Sequence, residues 1–189
     1  MENAASGVAS GVAQSTGMVI VIPKEYPLII LACTIICGLC YLTGFCATGR
    51  SRAGIFNQEF MKGFEVEHEK AFPGTKPAAG GFPDCGDGRY GQKLEYKDWV
   101  TFCNAFRVHS NFVEQLPMML TWLLIGGLFL PFISMIVGFL ACGGRIIYSV
   151  MYVTRGSDAR RIGAFTAGLP LNLLAIATLV MAIIQAFKE

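Results

Sequence analysis

The chain is poor in charge. Lys, Arg, Asp and Glu together make up 15% of its 189 residues, where an ordinary soluble domain carries about 25%. With 53% hydrophobic residues and a mean hydropathy of +0.52, a soluble fold of this length would expose large apolar patches. An excess of one charge sign is also missing: 15 basic and 13 acidic side chains leave a net charge of +2. That provides no basic footprint for nucleic acid, which is not an expected partner. The first 22 residues hold Glu2 as their only charge. A secretory signal needs a basic n-region and a mitochondrial presequence needs arginine, so neither is expected there. Cysteine is present but in the wrong places for a zinc finger or a disulfide scaffold. Cys33, Cys37, Cys40, Cys46 and Cys142 sit in apolar runs, where a thiol behaves as a small hydrophobe. The Cys33/Cys37/Cys40 spacing matches an iron–sulfur motif but lies inside a lipid-length helix. The run Asp-Cys-Gly-Asp-Gly at 84–88 lacks the alternating carboxylates of a calcium loop, and no metal is expected. No Ser-His-Asp, phosphate-loop or His-Glu-x-x-His arrangement occurs.

What is there is long apolar runs. Residues 26–47 and 162–187 are free of charge after their flanks, and 116–151 contains Arg145 alone. A membrane span needs about 20 apolar residues, so the middle run is too long for one helix, and Pro131 is where it must break. The pattern predicts an all-α, integral membrane four-helix bundle with spans at 26–48, 99–129, 132–154 and 162–187. Residues 1–25 form a small-residue tail, and 49–98 a polar loop with eight basic and eight acidic side chains. Within that loop, 55–70 interleaves charge with Phe and suits a surface or interfacial helix, while the Gly/Pro-rich stretch after it reads as irregular. Eleven Lys and Arg lie in the loops after the first and third spans, against Lys24 and Lys188 on the other side. The basic loops are therefore expected on the cytoplasmic side.

Polar residues inside the second and third spans are the candidates for chemistry. Arg107, Asn111 and Glu114 recur at i, i+4 and i+7, and Arg145, Tyr148 and Tyr152 at i, i+3 and i+7, so each trio shares a helix face. A charge near the bilayer centre costs about 2.5–3.5 kcal/mol, so these groups must face protein or a wet cavity. One reading is an interhelical Arg–Glu pair that fixes packing. The other is an anion site, because Arg with amide and phenol donors suits a carboxylate-bearing ligand.

These residues carry a resemblance. The stretch 102–117, with its Arg107-x-His109-x-Asn111-x-x-Glu114-x-x-Pro117 pattern, resembles the second helix of the MAPEG family, the membrane-associated proteins in eicosanoid and glutathione metabolism. It looks most like the type-3 microsomal glutathione S-transferase branch. Gly144-Arg145-x-x-Tyr148-x-x-x-Tyr152 is similar to the family's third helix, and Arg50 and Arg52 stand where the family has a basic cluster. The resemblance implies a homotrimer that takes glutathione as co-substrate between subunits. On that pattern Arg107, Asn111, Glu114, Tyr148 and Tyr152 hold glutathione, and Arg50 or Arg52 lies near the mouth. Arg160 or Arg161 stabilises the thiolate. His109, about 200° round the helix from Arg107, fits packing better than a base, with a contact to the ligand as its functional alternative. The implied function is a glutathione transferase or peroxidase for lipophilic substrates delivered by the membrane lipids, in the endoplasmic reticulum or mitochondrial membrane. The long loop and the tail exceed a minimal enzyme and motivate one rival, a non-catalytic accessory subunit of a larger membrane complex; the resemblance implies a second, a lipid-presenting protein without turnover, as in one branch of the family.

Overall fold

The computed structural model describes residues 22–187; the tail that the sequence sets apart lies almost wholly outside the described residues. Every regular element among these residues is helical. Helix α1, Tyr26–Thr43, starts with Pro27 in its first turn, where a missing N–H is harmless. It runs on through a π-helical segment, Gly44–Gly49, into α2, Arg50–Ile55. The first span is thus a continuous 30-residue helix, longer than the expected 26–48. The π segment wraps the point where a side chain intrudes from the next span: a Cβ on Gly44 would lie 2.8 Å from the His109 ring.

The second long helix, α5, covers Tyr96–Phe129. Its length of about 51 Å exceeds the roughly 30 Å hydrocarbon core, so its first turns stand clear of the bilayer. Leu130 alone separates it from α6, Pro131–Arg155. Gly156, at φ +84°, ends α6, and a 3-10 turn at Ser157–Arg160 leads into α7, Arg161–Ala186. These helices, with Tyr26–Ile55, are long and apolar enough to cross a membrane.

The core between them is apolar: Ile29, Ala32 and Ile36 of α1 meet Phe112 and Leu123 of α5, Ala141 of α6 and Leu174 of α7. The outward faces carry Ile30, Leu128, Ile136, Phe165, Ile176 and many like them, all exposed; lipid tails cover such a surface at no cost. Helices α6 and α7 touch backbone to backbone. A Cβ on Gly163 would lie 2.2 Å from the Tyr148 nitrogen, and one on Gly144 would lie 2.6 Å from the Ala167 nitrogen.

The polar loop is folded. Short helices α3, Gln58–Lys62, and α4, Glu65–Ala71, follow α2, and the Asn57 side chain caps α3 by accepting the Phe60 N–H. The Phe residues between the charges do not face a membrane surface. Phe56 is 1% exposed and meets Phe102 of α5 edge to face, Phe60 packs on Phe56, and Phe64 packs on Tyr90. The later Gly-rich stretch is pinned at two points. Arg52 is buried and donates to the Gly80 and Asp84 carbonyls at 3.0 and 2.7 Å, its guanidinium over the rings of Phe82 and Phe102. The buried Asp84 carboxylate accepts the N–H groups of Gly86, Gly88 and Gly91 at 2.7–3.0 Å. Burial alone would push the Asp84 carboxyl up. The backbone donors of Gly91, Gly86, Gly88 and Tyr90 outweigh it and hold the group below its ordinary value. Trp99 adds an indole N–H to the Gly86 carbonyl.

Candidate functional site

The polar faces of α5 and α6 form three linked groups on the loop side of the bundle. The first is Arg107 with Glu114. Their Nη1–Oε1 distance is 3.0 Å within α5, so the pair is intrahelical rather than the interhelical tie the sequence suggested. Both side chains are about half exposed, 53% each. They point away from the face of α5 that carries the buried Phe102, Ala105, Val108 and Phe112. The second group joins the two helices. Arg145, 3% exposed, donates from Nη1 to Asn111 Oδ1 at 3.3 Å and Gln115 Oε1 at 3.2 Å. That bond fixes the orientation of the Asn111 amide, leaving its NH2 free to donate elsewhere.

The third group ends in an arginine that the sequence could not choose. Tyr148 and Tyr152 are each 4% exposed, stack edge to face, and pack on Val108. The Tyr152 hydroxyl accepts an N–H from Arg160 Nη1 at 3.2 Å, and the Arg160 guanidinium lies 5.2 Å from the Tyr152 ring centroid. Arg161 turns the other way, to Asp158 on the exposed turn. The α6–α7 backbone crossing flanks these residues, with Gly163 one turn beyond Arg160 and against Tyr148. The reach of Arg160 is therefore set by rigid elements.

The remaining sequence candidates are placed elsewhere. Arg52 spends both terminal nitrogens on loop carbonyls and serves as the loop's anchor, not as a free cation at a mouth. Arg50, two residues earlier, is exposed. His109 lies on the α1 side of α5, against Gly44, and shares a groove with Phe45, Arg52 and Phe106; the structure does not bring it to Arg107 or Glu114. Two residues carry more than the sequence reading gave them. Arg145 and Gln115 form the cross-helix tie; the signal for Arg145 was a lone charge in an apolar run, and Gln115 had none beyond its place after Glu114. No group of His, Cys, Asp and Glu among the described residues could hold a metal ion.

A bundle of four membrane-length helices, with Arg, amide, carboxylate and phenol groups gathered at one end, is an integral membrane protein. The sequence profile of the MAPEG family matches residues 28–181, from the start of the first span to the end of the fourth. The chain belongs to the MAPEG family. No curated protein matches it.

Proposed function

We propose that the chain is a membrane-bound glutathione transferase or peroxidase of the type-3 microsomal kind. It would act as a homotrimer on lipophilic electrophiles or lipid hydroperoxides in the endoplasmic reticulum or mitochondrial membrane, basic loops to the cytoplasm. The observation that carries this reading is the approach of Arg160 to Tyr152, about two helix turns along α6 from the Asn111–Arg145 tie. It supplies a cation on a fixed support next to donors for a charged peptide. Glutathione has two carboxylates and one ammonium. Arg107 suits a carboxylate, Glu114 the ammonium, and the Asn111 amide with the Tyr148 and Tyr152 phenols supplies neutral hydrogen bonds. Arg160 keeps four of its five N–H donors after bonding Tyr152, enough to meet a sulfur anion. A free thiol ionises at about 8.5, and each unit of lowering corresponds to about 1.36 kcal/mol of stabilised thiolate.

The thiolate sulfur would attack an electrophilic carbon, forming a C–S bond while the leaving group departs with the electron pair. With a hydroperoxide it would attack the terminal oxygen and cleave the O–O bond, leaving the lipid alcohol and a glutathione sulfenic acid, and a second glutathione would condense with that acid to give the disulfide and water. The half-exposed Arg107–Glu114 pair on the outer face of α5 supports the trimer of this reading. Facing lipid there would be unfavourable; the same helix of a second copy covers it and closes the site.

The test is a pH titration of bound glutathione, read by the ultraviolet absorbance of the thiolate. The bound thiol should ionise at least about one unit below its free value. Arg160→Ala should return it toward that value with glutathione still bound, and Arg161→Ala should leave it in place. In the same preparation Arg107→Ala should raise the glutathione dissociation constant at least tenfold, about 1.4 kcal/mol. Absence of glutathione binding, or binding with an unshifted thiol, would defeat the enzyme reading in favour of an accessory subunit.

A further inference from the structure

The first span is distorted where it meets His109. Over Gly44–Gly49 its backbone opens into a π-helical segment, a form that is rare in helices and frequent where a helix carries a function. The imidazole sets its Cε1 edge against Gly44: a Cβ there would lie 2.8 Å from Cε1 and 3.1 Å from each ring nitrogen. Of those nitrogens Nδ1 is enclosed, with no hydrogen-bond partner among the described residues, and Nε2 is not enclosed. A buried N–H without an acceptor is a rarer defect than an acceptor without a donor, so the surroundings assign the ring hydrogen to Nε2. Two other states meet the same objection. An imidazolium would bury an unpaired N–H, and a ring ligating a metal through Nε2 would place its hydrogen on the unpartnered Nδ1. His109 is left as a neutral donor in want of an acceptor.

The ring lines a groove of about 480 Å³ between the first span, α5 and the loop near Phe82, a size that suits a small molecule. Tyr41, Phe45, Phe82 and Phe106 supply aromatic walls. Most other polar side chains in the groove are committed. Arg52 donates to the Gly80 and Asp84 carbonyls, Thr48 to the Ala105 carbonyl at 2.9 Å, and the Cys85 thiol to the Pro83 carbonyl. The exception is the Tyr41 phenol, one turn before Gly44, which adds a second donor. Tyr41 and Phe45 are 74% and 64% exposed on a membrane-length helix, so the groove opens toward lipid. His109 lies thirteen residues into α5, about 20 Å from its start. That is about the length by which α5 exceeds the hydrocarbon core, which puts the groove near the boundary of lipid and water.

We propose that this groove binds the head group of a lipid-soluble quinone, one ring carbonyl accepting the His109 Nε2 hydrogen and the tail lying in the bilayer. A planar ring suits walls of Phe and Tyr. Two carbonyls on opposite sides of that ring suit the two donors, His109 and Tyr41. An uncharged ligand suits a groove whose one arginine is already bonded to the loop; a carboxylate would find no free cation there. The site is independent of the glutathione reading. It lies on the α1 side of α5, about 200° round the helix from Arg107, and loss of either site leaves the other standing.

The experiment uses the full chain in detergent, without glutathione, and calorimetry with decylubiquinone, whose fully substituted ring offers a thiolate no open position. The quinone should bind at least tenfold more tightly than the arene with the same ring substituents and tail but no carbonyls. His109→Leu should abolish that preference, and His109→Gln, which keeps a donor, should retain most of it. Phe45→Ala, at an exposed position of the first span, should weaken quinone binding at least tenfold with glutathione affinity unchanged. If the His109 variants do not fold, the arene comparison and Phe45→Ala decide. Equal affinity for quinone and arene, a preference that survives His109→Leu, or binding indifferent to Phe45→Ala would overturn the proposal. So would a wild-type protein that binds no quinone. Loss of quinone binding in Arg107→Ala would do the same by assigning the quinone to the glutathione site. A Soret shift on adding haemin, absent in His109→Leu, would replace the donor with a metal ligand and also overturn it.

Discussion

At the residue scale, the same side-chain type does opposite things depending on what lies within reach. Arg52, Arg145 and Arg160 all carry a guanidinium at the membrane–loop boundary or below it. Arg52 is consumed by carbonyls, Arg145 is left half-satisfied, and Arg160 is held by a phenol with donors to spare. Asp84 shows how much one carboxylate can organise. Its turn requires glycine: Gly86 sits at φ +105°, and a Cβ on Gly91 would lie 2.6 Å from the Gly86 carbonyl oxygen. Because the fold holds the Asp84 carboxyl below its ordinary value of 3.8, its contribution is fully present above that value. It is lost as the pH falls through the depressed one. Amide exchange at Gly86, Gly88 and Gly91 should therefore be flat from neutral pH down to about 4 after correction for intrinsic rates, then rise on further acidification. Asp84→Asn should raise exchange at all pH values, since a buried donor left unpaired costs about 1–3 kcal/mol, and should remove the acid-dependent rise. Wild-type behaviour in the variant would show that the carboxylate does not hold the turn.

At the element scale, the crossing of α6 and α7 decides where Arg160 lies. Nothing but hydrogen fits at Gly163, because the atoms facing it are backbone atoms of Tyr148 that no rotamer change can move. Gly163→Ala should force the helices apart, with an overpacking cost of about 1–3 kcal/mol, and should carry Arg160 away from Tyr152. Gly143 stands in the same helix as Tyr148 with nothing within 4 Å of its Cβ position, and Gly143→Ala should leave the melting temperature unchanged or raised. Thermal unfolding in detergent checks the pair, and equal effects would remove the crossing as the cause. The loop elements tell a parallel story. The charge-and-Phe alternation of 55–70 looks amphipathic from sequence. Its aromatic side is turned onto the protruding start of α5 instead of onto lipid, because α5 extends far enough to offer Phe102 as a partner.

At the scale of the whole molecule, the proposed trimer rests on the outer face of α5. Its charged pair is half exposed on a helix long and apolar enough to cross a membrane, and a charge that faces lipid is unfavourable. Native mass spectrometry from mild detergent should give a species three times the 20.5 kDa of one chain. Arg107→Leu combined with Glu114→Leu should weaken that trimer, because the polar contact surface is gone and the apolar face is content in lipid. A monomer in the wild type would remove the trimer.

The sequence by itself determined the membrane-spanning, all-helical class and the family. Those follow from run length and from residue spacing along one helix, which are one-dimensional properties. The inward placement of Tyr148, Tyr152 and Asn111 was legible for the same reason: a polar group repeated at helical spacing in an apolar run has few places to point. The choice between Arg160 and Arg161 was not legible, since neighbouring residues in a turn differ only in the direction the chain takes after Gly156. The diversion of Arg52 to the loop, and the pairing of Arg145 with Asn111 and Gln115 while its other nitrogens stay unmatched, are relations between segments 28 to 34 residues apart. Such contacts are set by how the helices cross and how the loop folds back, and only the tertiary structure decided them.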